Sequence, residues 1–133
     1  MRKLISLAIL GLGMTLMSTA QTTGRVYELR TYTCPPGKLP DLLKRFREHT
    51  MEIFERHHMH NVGYWVPADE PLHSNTLIYI IWHDSRTAAE ANWKAFRDDP
   101  EWQRVSKASE ENGKIVDHVV SVFMNPTDFS QIK

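Results

Sequence analysis

Apolar and polar positions alternate along four stretches of the chain with the period of two that strands show. Residues 25–33 and 60–67 alternate in this way, and so do residues 114–125. Residues 76–83 (TLIYIIWH) are instead apolar on both faces, which is typical of a central strand covered on both sides. These stretches predict four strands.

A long amphipathic helix is predicted between the first two strands, over residues 38–57. Its apolar face consists of Leu39, Leu42, Leu43, Phe46, Thr50, Ile53, Phe54 and His57, spaced by three and four residues. His49 is also assigned to the buried side. The charged residues between them, including Arg45, are expected to form a solvated face. We expect His58 to end the helix in the left-handed conformation, which histidine tolerates better than most side chains.

Two shorter helices are predicted between the third and fourth strands. Asp84 or Ser85 is expected to cap the first. The second has Asp99 as its N-cap and Pro100 in its first turn, and it ends near Gly113. The element order is therefore β-α-β-β-α-β. Right-handed crossovers then favour an α+β, ferredoxin-like fold: a four-stranded antiparallel sheet, strands one and three central, with helices on one face.

One face of this predicted sheet lacks a helix layer. Strands one, three and four all place apolar or aromatic side chains there, so we expect a second copy of the chain to cover them by two-fold symmetry. On the first strand, Tyr27 and Leu29 are assigned to the helix-covered face. Glu28 and Arg30 are assigned to the opposite face, where they are expected to form an ion pair.

The N-terminal segment, residues 1–20, is predicted to be a signal peptide. It begins with Arg2 and Lys3, continues as an apolar run and ends in small side chains before a cleavage site. The apolar run is shorter than the ~20 residues of a membrane-spanning helix. We therefore expect residues 21–133 to form one mature domain that is periplasmic or secreted and has no stable membrane span.

Charge and cysteine content narrow the classes of partner. The chain has 16 basic and 16 acidic side chains, a formal net charge of zero. Such a balance does not predict a nucleic-acid partner. Cys34 is the only cysteine, so an intrachain disulfide is excluded, and we expect Cys34 to be a buried small side chain rather than a reactive thiol.

Several motifs resemble the NIPSNAP family. They are YELRTY at 27–32, PGKL at 36–39, RFREHT at 45–50, FERHHMHNVGYW at 54–65, DPEW at 99–102 and NPTDFS at 125–130. The resemblance covers essentially the whole predicted mature domain. It implies a dimeric α+β barrel, in which two ferredoxin-like domains pair through their sheets, and it leaves the activity undefined. One departure is His58, which occupies a position where the family pattern has glycine.

No motif of a metal or cofactor site is present. His57, His58 and His60 lie close together, but no HExxH pattern or paired cysteines accompany them. We therefore expect no metal and no cofactor. A nucleophile elbow of the G-x-S-x-G type is also absent.

Two hypotheses for function remain. In the first, a homodimeric domain binds a small apolar molecule or a protein partner in a groove between helices and sheet. We expect this groove to be lined by Tyr27, Arg30, His49, Trp65 and Trp93. In the second, the same groove belongs to a cofactor-independent enzyme of the oxygenase or isomerase type. It would act on a small aromatic or polyketide-like compound, with His49 as general base.

Overall fold

The computed structural model describes residues 24–133, so the expected signal peptide at residues 1–20 lies outside the described part. The strands are β1 (Val26–Thr33), β2 (His60–Trp65), β3 (Thr76–His83) and β4 (His118–Met124). The helices are α1 (Leu39–Arg45), α2 (Met51–Arg56), α3 (Arg86–Asp98) and α4 (Pro100–Ser109). A π-helical turn (Phe46–Thr50) joins α1 to α2, and a 3₁₀ turn (Leu72–Ser74) precedes β3. No helix between residues 24 and 133 has the length and apolar character needed to cross a membrane.

All four strands form one antiparallel sheet in the order β2-β3-β1-β4. Leu29 in β1 lies opposite Ile80 of β3 and Val122 of β4. The predicted ferredoxin-like fold is confirmed, including the central position of the first and third strands. The helices cover one face of the sheet, as expected.

α1, the π-helical turn and α2 follow one another without a break and are called the long helix below. The π-helical turn was not predicted, because a single wide turn changes the apolar spacing by only one residue. At this turn the hydroxyl of Thr50 donates a hydrogen bond to the carbonyl oxygen of Arg45, at 3.2 Å. The turn therefore keeps that carbonyl satisfied although the regular hydrogen-bond pattern is interrupted.

Arg45 is buried, so its assignment to the solvated face of the long helix was wrong. Its guanidinium donates a hydrogen bond to the hydroxyl of Ser109, at 3.1 Å, and lies over the ring of Trp102. α4 therefore covers this side of the long helix. The pattern within one helix cannot reveal a later helix that packs against its polar side.

The long helix ends as predicted, with His58 in the left-handed conformation at a φ of 56°. The amide of Met59 donates to the carbonyl of Phe54, and the amide of His58 donates to that of Glu55. This pair of bonds is the Schellman arrangement. Met59 and Phe54 are both buried, which supplies the hydrophobic contact that accompanies it.

The hydrophobic core lies between the helices and one face of the sheet. Leu42, Phe54 and Phe96 from the helices belong to one buried cluster with Tyr79 and Ile81 of β3. Cys34 lies in the same cluster, as expected. Burial raises the pKa of its thiol to about 11, so the thiolate is scarce at neutral pH.

The face assignment of β1 was reversed. Glu28 and Arg30 lie on the helix-covered face, and their predicted ion pair is present with 2.7 Å between Arg30 Nη1 and Glu28 Oε1. Tyr27 and Leu29 lie on the opposite face. Alternation defines two faces of a strand but does not show which one meets the helices. Here the helix-covered face supplies enough hydrogen-bond partners to accept a buried carboxylate.

The face without helices is called the open face. It contains Leu29, Thr31, Trp65, Ile78, Ile80, Trp82, Val120 and Val122. An apolar face without helices was predicted and is present, but the prediction placed Glu28 and Arg30 of β1 on it in place of Tyr27 and Leu29. Tyr27 is nevertheless buried on this side, because it lines a small cavity together with Pro126 and Ile132 of the C-terminal segment.

Candidate functional site

A cluster of polar side chains surrounds the carboxylate of Glu28 beneath the helices. Oε1 accepts hydrogen bonds from Arg30 Nη1 at 2.7 Å and Ser121 Oγ at 2.6 Å. Oε2 accepts from Trp93 Nε1 at 2.7 Å and His83 Nε2 at 3.1 Å. These five residues are called the polar cluster. They come from β1, β3, β4 and α3, so the carboxylate joins three strands to one helix.

The carboxylate of Glu28 is 1% exposed. Burial by itself would raise its pKa, but the hydrogen bonds from His83, Ser121, Trp93 and Arg30 together outweigh burial and lower the pKa from 4.5 to about 2. All four acceptor directions of the carboxylate are occupied. Glu28 is therefore a fixed anion that holds its neighbours in place, and it has no free lone pair with which to accept a proton from a ligand.

His83 is completely buried, and its hydrogen bonds define its tautomer. The amide nitrogen of Asn92 donates to the backbone oxygen of His58 at 2.9 Å and contacts His83 Nδ1 at 3.2 Å. Nδ1 must then be the acceptor, and Nε2 carries the hydrogen that is donated to Glu28. Through Asn92, His83 thus links the end of the long helix to the polar cluster.

A groove of about 560 Å³ opens beside the polar cluster, between α3, α4 and the helix side of β4. We call it the helix–sheet groove. Four aromatic side chains line it: Trp93, Phe96, Trp102 and Phe123. Glu28, Arg30 and Ser121 form its polar floor, and Arg86, Glu90 and Arg97 complete the lining. The groove exists because β4 is an edge strand whose helix side remains exposed at Val119 and Ser121.

Arg30 is the cation of the groove floor. Its guanidinium stacks 4.2 Å from the ring centre of Trp93, and one nitrogen is held by Glu28. A second nitrogen reaches the hydroxyl of Tyr32 only at 3.4 Å, and Nε has no hydrogen-bond partner. Arg30 therefore keeps donor capacity that the protein uses only in part, beside an aromatic wall.

The five predicted site residues lie in three places. Arg30 and Trp93 meet in the helix–sheet groove. Tyr27 and Trp65 lie on the open face, and Trp65 is 51% exposed there. His49 is half-buried in a separate groove between the long helix and α4, so it does not share a cavity with Trp93. The part that each residue has in ligand binding stays a prediction.

Sequence reasoning missed the site roles of Glu28, His83 and Ser121. Glu28 was considered only as an ion-pair partner, and His83 was not among the predicted site residues. The usable signal was a charged residue on β1 together with a histidine ending the apolar run of β3. Two polar groups on adjacent central strands favour contact with each other, although the register that brings them together is not visible in either segment.

The histidines at the end of the long helix make local contacts. His57 Nε2 lies 2.7 Å from the carboxylate of Asp99, the N-cap of α4, and His60 Nδ1 lies 3.0 Å from Glu55. Between residues 24 and 133 no group of three or more His, Cys, Asp or Glu side chains is arranged to hold a metal ion. These imidazoles therefore connect elements of the fold.

The sheet order and the one-sided helix layer define a ferredoxin-like α+β domain with a groove between sheet and helices. Residues 27–131 match the NIPSNAP family, and the chain therefore belongs to this family. No curated protein matches the sequence.

Several solved structures share the fold. A NIPSNAP family protein of unknown function from Agrobacterium tumefaciens is 23% identical, with a TM-score of 0.71 over 84% of this chain and 96% of that one. An uncharacterised NIPSNAP-like domain protein from Burkholderia xenovorans is 17% identical, with a TM-score of 0.69 over 81% and 90% of the two chains. SnoaB, a cofactor-independent oxygenase from Streptomyces nogalater, is 11% identical, with a TM-score of 0.53 over 83% and 99%. At these identities the likeness concerns the fold.

Proposed function

We propose that this NIPSNAP protein binds a small aromatic compound in the helix–sheet groove. The observation that carries the proposal is the composition of the groove: a space of about 560 Å³ combines aromatic walls with one fixed cationic group. Small-molecule sites typically have volumes of ~300–1,000 Å³ and place a few polar groups in an apolar lining. The groove meets both criteria.

The chemistry of the floor favours a ligand with a carboxylate or phenolate group. Arg30 is always charged, is held in a fixed orientation by Glu28 and Trp93, and retains unused donor capacity. A planar ring stacked against the aromatic wall would place an acidic substituent near this guanidinium. The exposed Arg86 and Arg97 at the lining would add favourable charge for such a ligand.

The protein is proposed to act as a homodimer formed through the open face. Val120 and Val122 are 46% and 47% exposed there. Thr31 and Leu29 of β1 lie next to them, and the large apolar side chains of β3 follow on the other side of β1. A contact of standard size buries about 800 Å² per partner. The open face and the helix–sheet groove lie on opposite sides of the sheet, so dimerisation leaves the groove accessible. Export to the periplasm or the medium, predicted from residues 1–20, is part of the same proposal.

Catalysis is the second candidate function, suggested by the fold that the chain shares with a cofactor-independent oxygenase. The groove offers little support for proton transfer. Glu28 has all its acceptor positions occupied, His83 is fully buried, and Glu90 is paired with Arg86 at 3.4 Å. His49, the predicted general base, lies outside this groove. Binding is therefore the better-supported function.

The test compares two neighbouring β4 residues that lie on opposite faces. Phe123 lines the groove, whereas Val122 lies on the open face. We expect 2-naphthoate to bind the wild-type protein in isothermal titration calorimetry. Phe123→Ala should weaken that binding about tenfold, because the ring contributes apolar contact area. Val122→Ala should leave it unchanged.

The neutral analogue 2-naphthylmethanol distinguishes the acid group from the ring. We expect it to bind more weakly than 2-naphthoate, because it lacks the charge that Arg30 would contact. Equal affinities of Phe123→Ala and the wild-type protein for 2-naphthoate would rule out the helix–sheet groove as its site.

A further inference from the structure

A second groove lies outside the helix–sheet groove, along the side of the long helix that α4 covers. It has a volume of about 340 Å³ and is called the α1–α4 groove. Its lining includes the cations Lys44, Arg45 and Arg104 and the polar side chains of His49, Ser109 and Asn112. Unlike the helix–sheet groove, it has no aromatic wall. Its surface is polar and carries three cationic side chains.

Arg45 is the innermost of these cations and lacks a close counter-ion. Its side chain is 6% exposed, and its Nε has no hydrogen-bond partner. The guanidinium makes one hydrogen bond, to Ser109, while the carboxylate oxygen of Glu110 is 4.0 Å away, beyond hydrogen-bond distance. Burial lowers the pKa of Arg45, although nearby Tyr32 and Glu110 act in the opposite direction. A buried charge with so few partners is energetically costly unless another group neutralises it.

Arg104 and Lys44 stand at the same groove with no ion pair to any residue between 24 and 133. His49 lies beside them and is likewise free of side-chain hydrogen bonds in the described part of the chain. Two carboxylates also line the groove. Asp41 is 3.5 Å from Lys38, which partly neutralises it, and Glu48 is exposed. Three cations, Lys44, Arg45 and Arg104, therefore share the groove with two lining carboxylates, and a third carboxylate, Glu110, lies 4.0 Å from Arg45.

We propose that the α1–α4 groove is an oxyanion site that binds the phosphate or carboxylate group of a small metabolite. Arg45 and Arg104 would supply charged donors, and Ser109, Asn112 and His49 would supply further polar contacts. The volume exceeds that of a bare ion, so the rest of the metabolite would lie along the groove. This site does not depend on the function proposed for the helix–sheet groove, because the two are lined by different residues.

The experiment is a titration with inorganic phosphate followed by NMR, with chloride used to hold the ionic strength constant. The readouts are the Arg45 Nε–H signal and the His49 imidazole signals. We expect both to shift along one saturable curve. A parallel titration with acetate tests the carboxylate arm, and the anion that binds more tightly identifies the chemistry that the site prefers.

Arginine variants provide matched controls. Arg104→Gln removes a surface cation of the groove, and we expect phosphate affinity to fall about tenfold, as for loss of one charge-assisted hydrogen bond. Arg45→Gln should abolish saturable binding. Arg47→Gln makes the same chemical change at an exposed residue of the long helix, which also carries Arg45, but outside the groove. It should leave the phosphate affinity unchanged.

Because Arg104 is exposed, its substitution can be interpreted even if Arg45→Gln does not fold. The proposal is overturned if neither anion gives a saturable shift. It is also overturned if Arg104→Gln and Arg47→Gln bind phosphate as tightly as the wild-type protein.

Discussion

The two faces of the sheet are built from opposite kinds of interaction. On the helix-covered face, a buried carboxylate has four directional hydrogen bonds to residues of β1, β3, β4 and α3. On the open face, adjacent strands present Leu29, Ile80 and Val122 side by side, and these residues contribute only apolar surface.

This difference shows how one sheet can serve two purposes. Directional hydrogen bonds specify one arrangement of helices over the sheet, since any shift leaves a buried charge without its partners. Apolar contacts are non-directional, so the open face is suited to contact with a second copy of the chain. The helix–sheet groove lies where the helix layer stops short of β4, so it combines polar groups with aromatic rings.

The largest expected effect comes from Glu28→Gln. The glutamine keeps the shape of the side chain but loses the charge, and its amide hydrogens would face groups that are themselves donors. We expect a loss of about 3–5 kcal/mol in the free energy of unfolding, because Arg30 becomes an unpaired buried charge. Urea denaturation measures the loss. The control Glu90→Gln, at a side chain that is 72% exposed, should change stability by less than about 0.5 kcal/mol.

The pH dependence separates the charge of Glu28 from its packing. The pKa of Glu28 is about 2 in the folded protein and near 4.5 in the unfolded chain. The contribution of this carboxylate to the free energy of unfolding is therefore complete above about pH 5 and is lost as the pH falls toward 2. We expect the wild-type protein to lose about 2 kcal/mol from this group between pH 6 and pH 3. Glu28→Gln lacks this contribution, so the stability gap between the two should narrow in acid. A gap that is constant with pH would contradict the lowered pKa.

The next prediction compares a charge on the open face with a charge on the helix side of the sheet, at adjacent residues of β4. Val120→Glu places a charge on the open face, and Val119→Glu places it on the helix side of the same strand. We expect Val120→Glu to weaken the proposed dimer by about 3 kcal/mol, or more than 100-fold, because a two-fold axis through the open face would bring like charges into an apolar contact. Sedimentation equilibrium should then show monomers for Val120→Glu and dimers for Val119→Glu. Dimers in both variants would place the interface elsewhere.

The smallest effect concerns His58, whose backbone oxygen is held by Asn92 on the helix-covered side. Its φ of 56° is costly for a residue with a Cβ atom. We expect His58→Gly to be more stable than His58→Ala by about 1 kcal/mol in thermal or urea unfolding, since only glycine relieves the strain. Equal stabilities would show that the loop relaxes around either residue.

Much of the fold follows from local pattern. The strand period of two and the helical spacing of three and four residues predicted four strands and three helical regions. The left-handed conformation of His58 was predicted from its place after an amphipathic stretch. The order of these elements, with short connections and right-handed crossovers, was enough to predict which strands are central. The membership of the family was likewise visible in the motifs.

The site was predictable only in part. Arg30 and Trp93 were named, and they do meet, but His49 and Tyr27 lie elsewhere. The face of β1 that carries Glu28 was reversed, and the burial of Arg45 was not foreseen. The errors over Glu28 and Arg45 concern charged residues whose environment is supplied by segments distant in sequence, namely β3, β4 and α4.

The amino-acid pattern by itself therefore determined which segments are strands and helices, because periodicity and end signals act over a few residues. Only the tertiary structure decided which face of the sheet is covered and where the grooves lie. Burial of a carboxylate such as Glu28 is acceptable only if enough donors converge on it. Those donors are Ser121 and His83, 93 and 55 residues away, together with Trp93 and Arg30. Their convergence is a property of the folded sheet and its register.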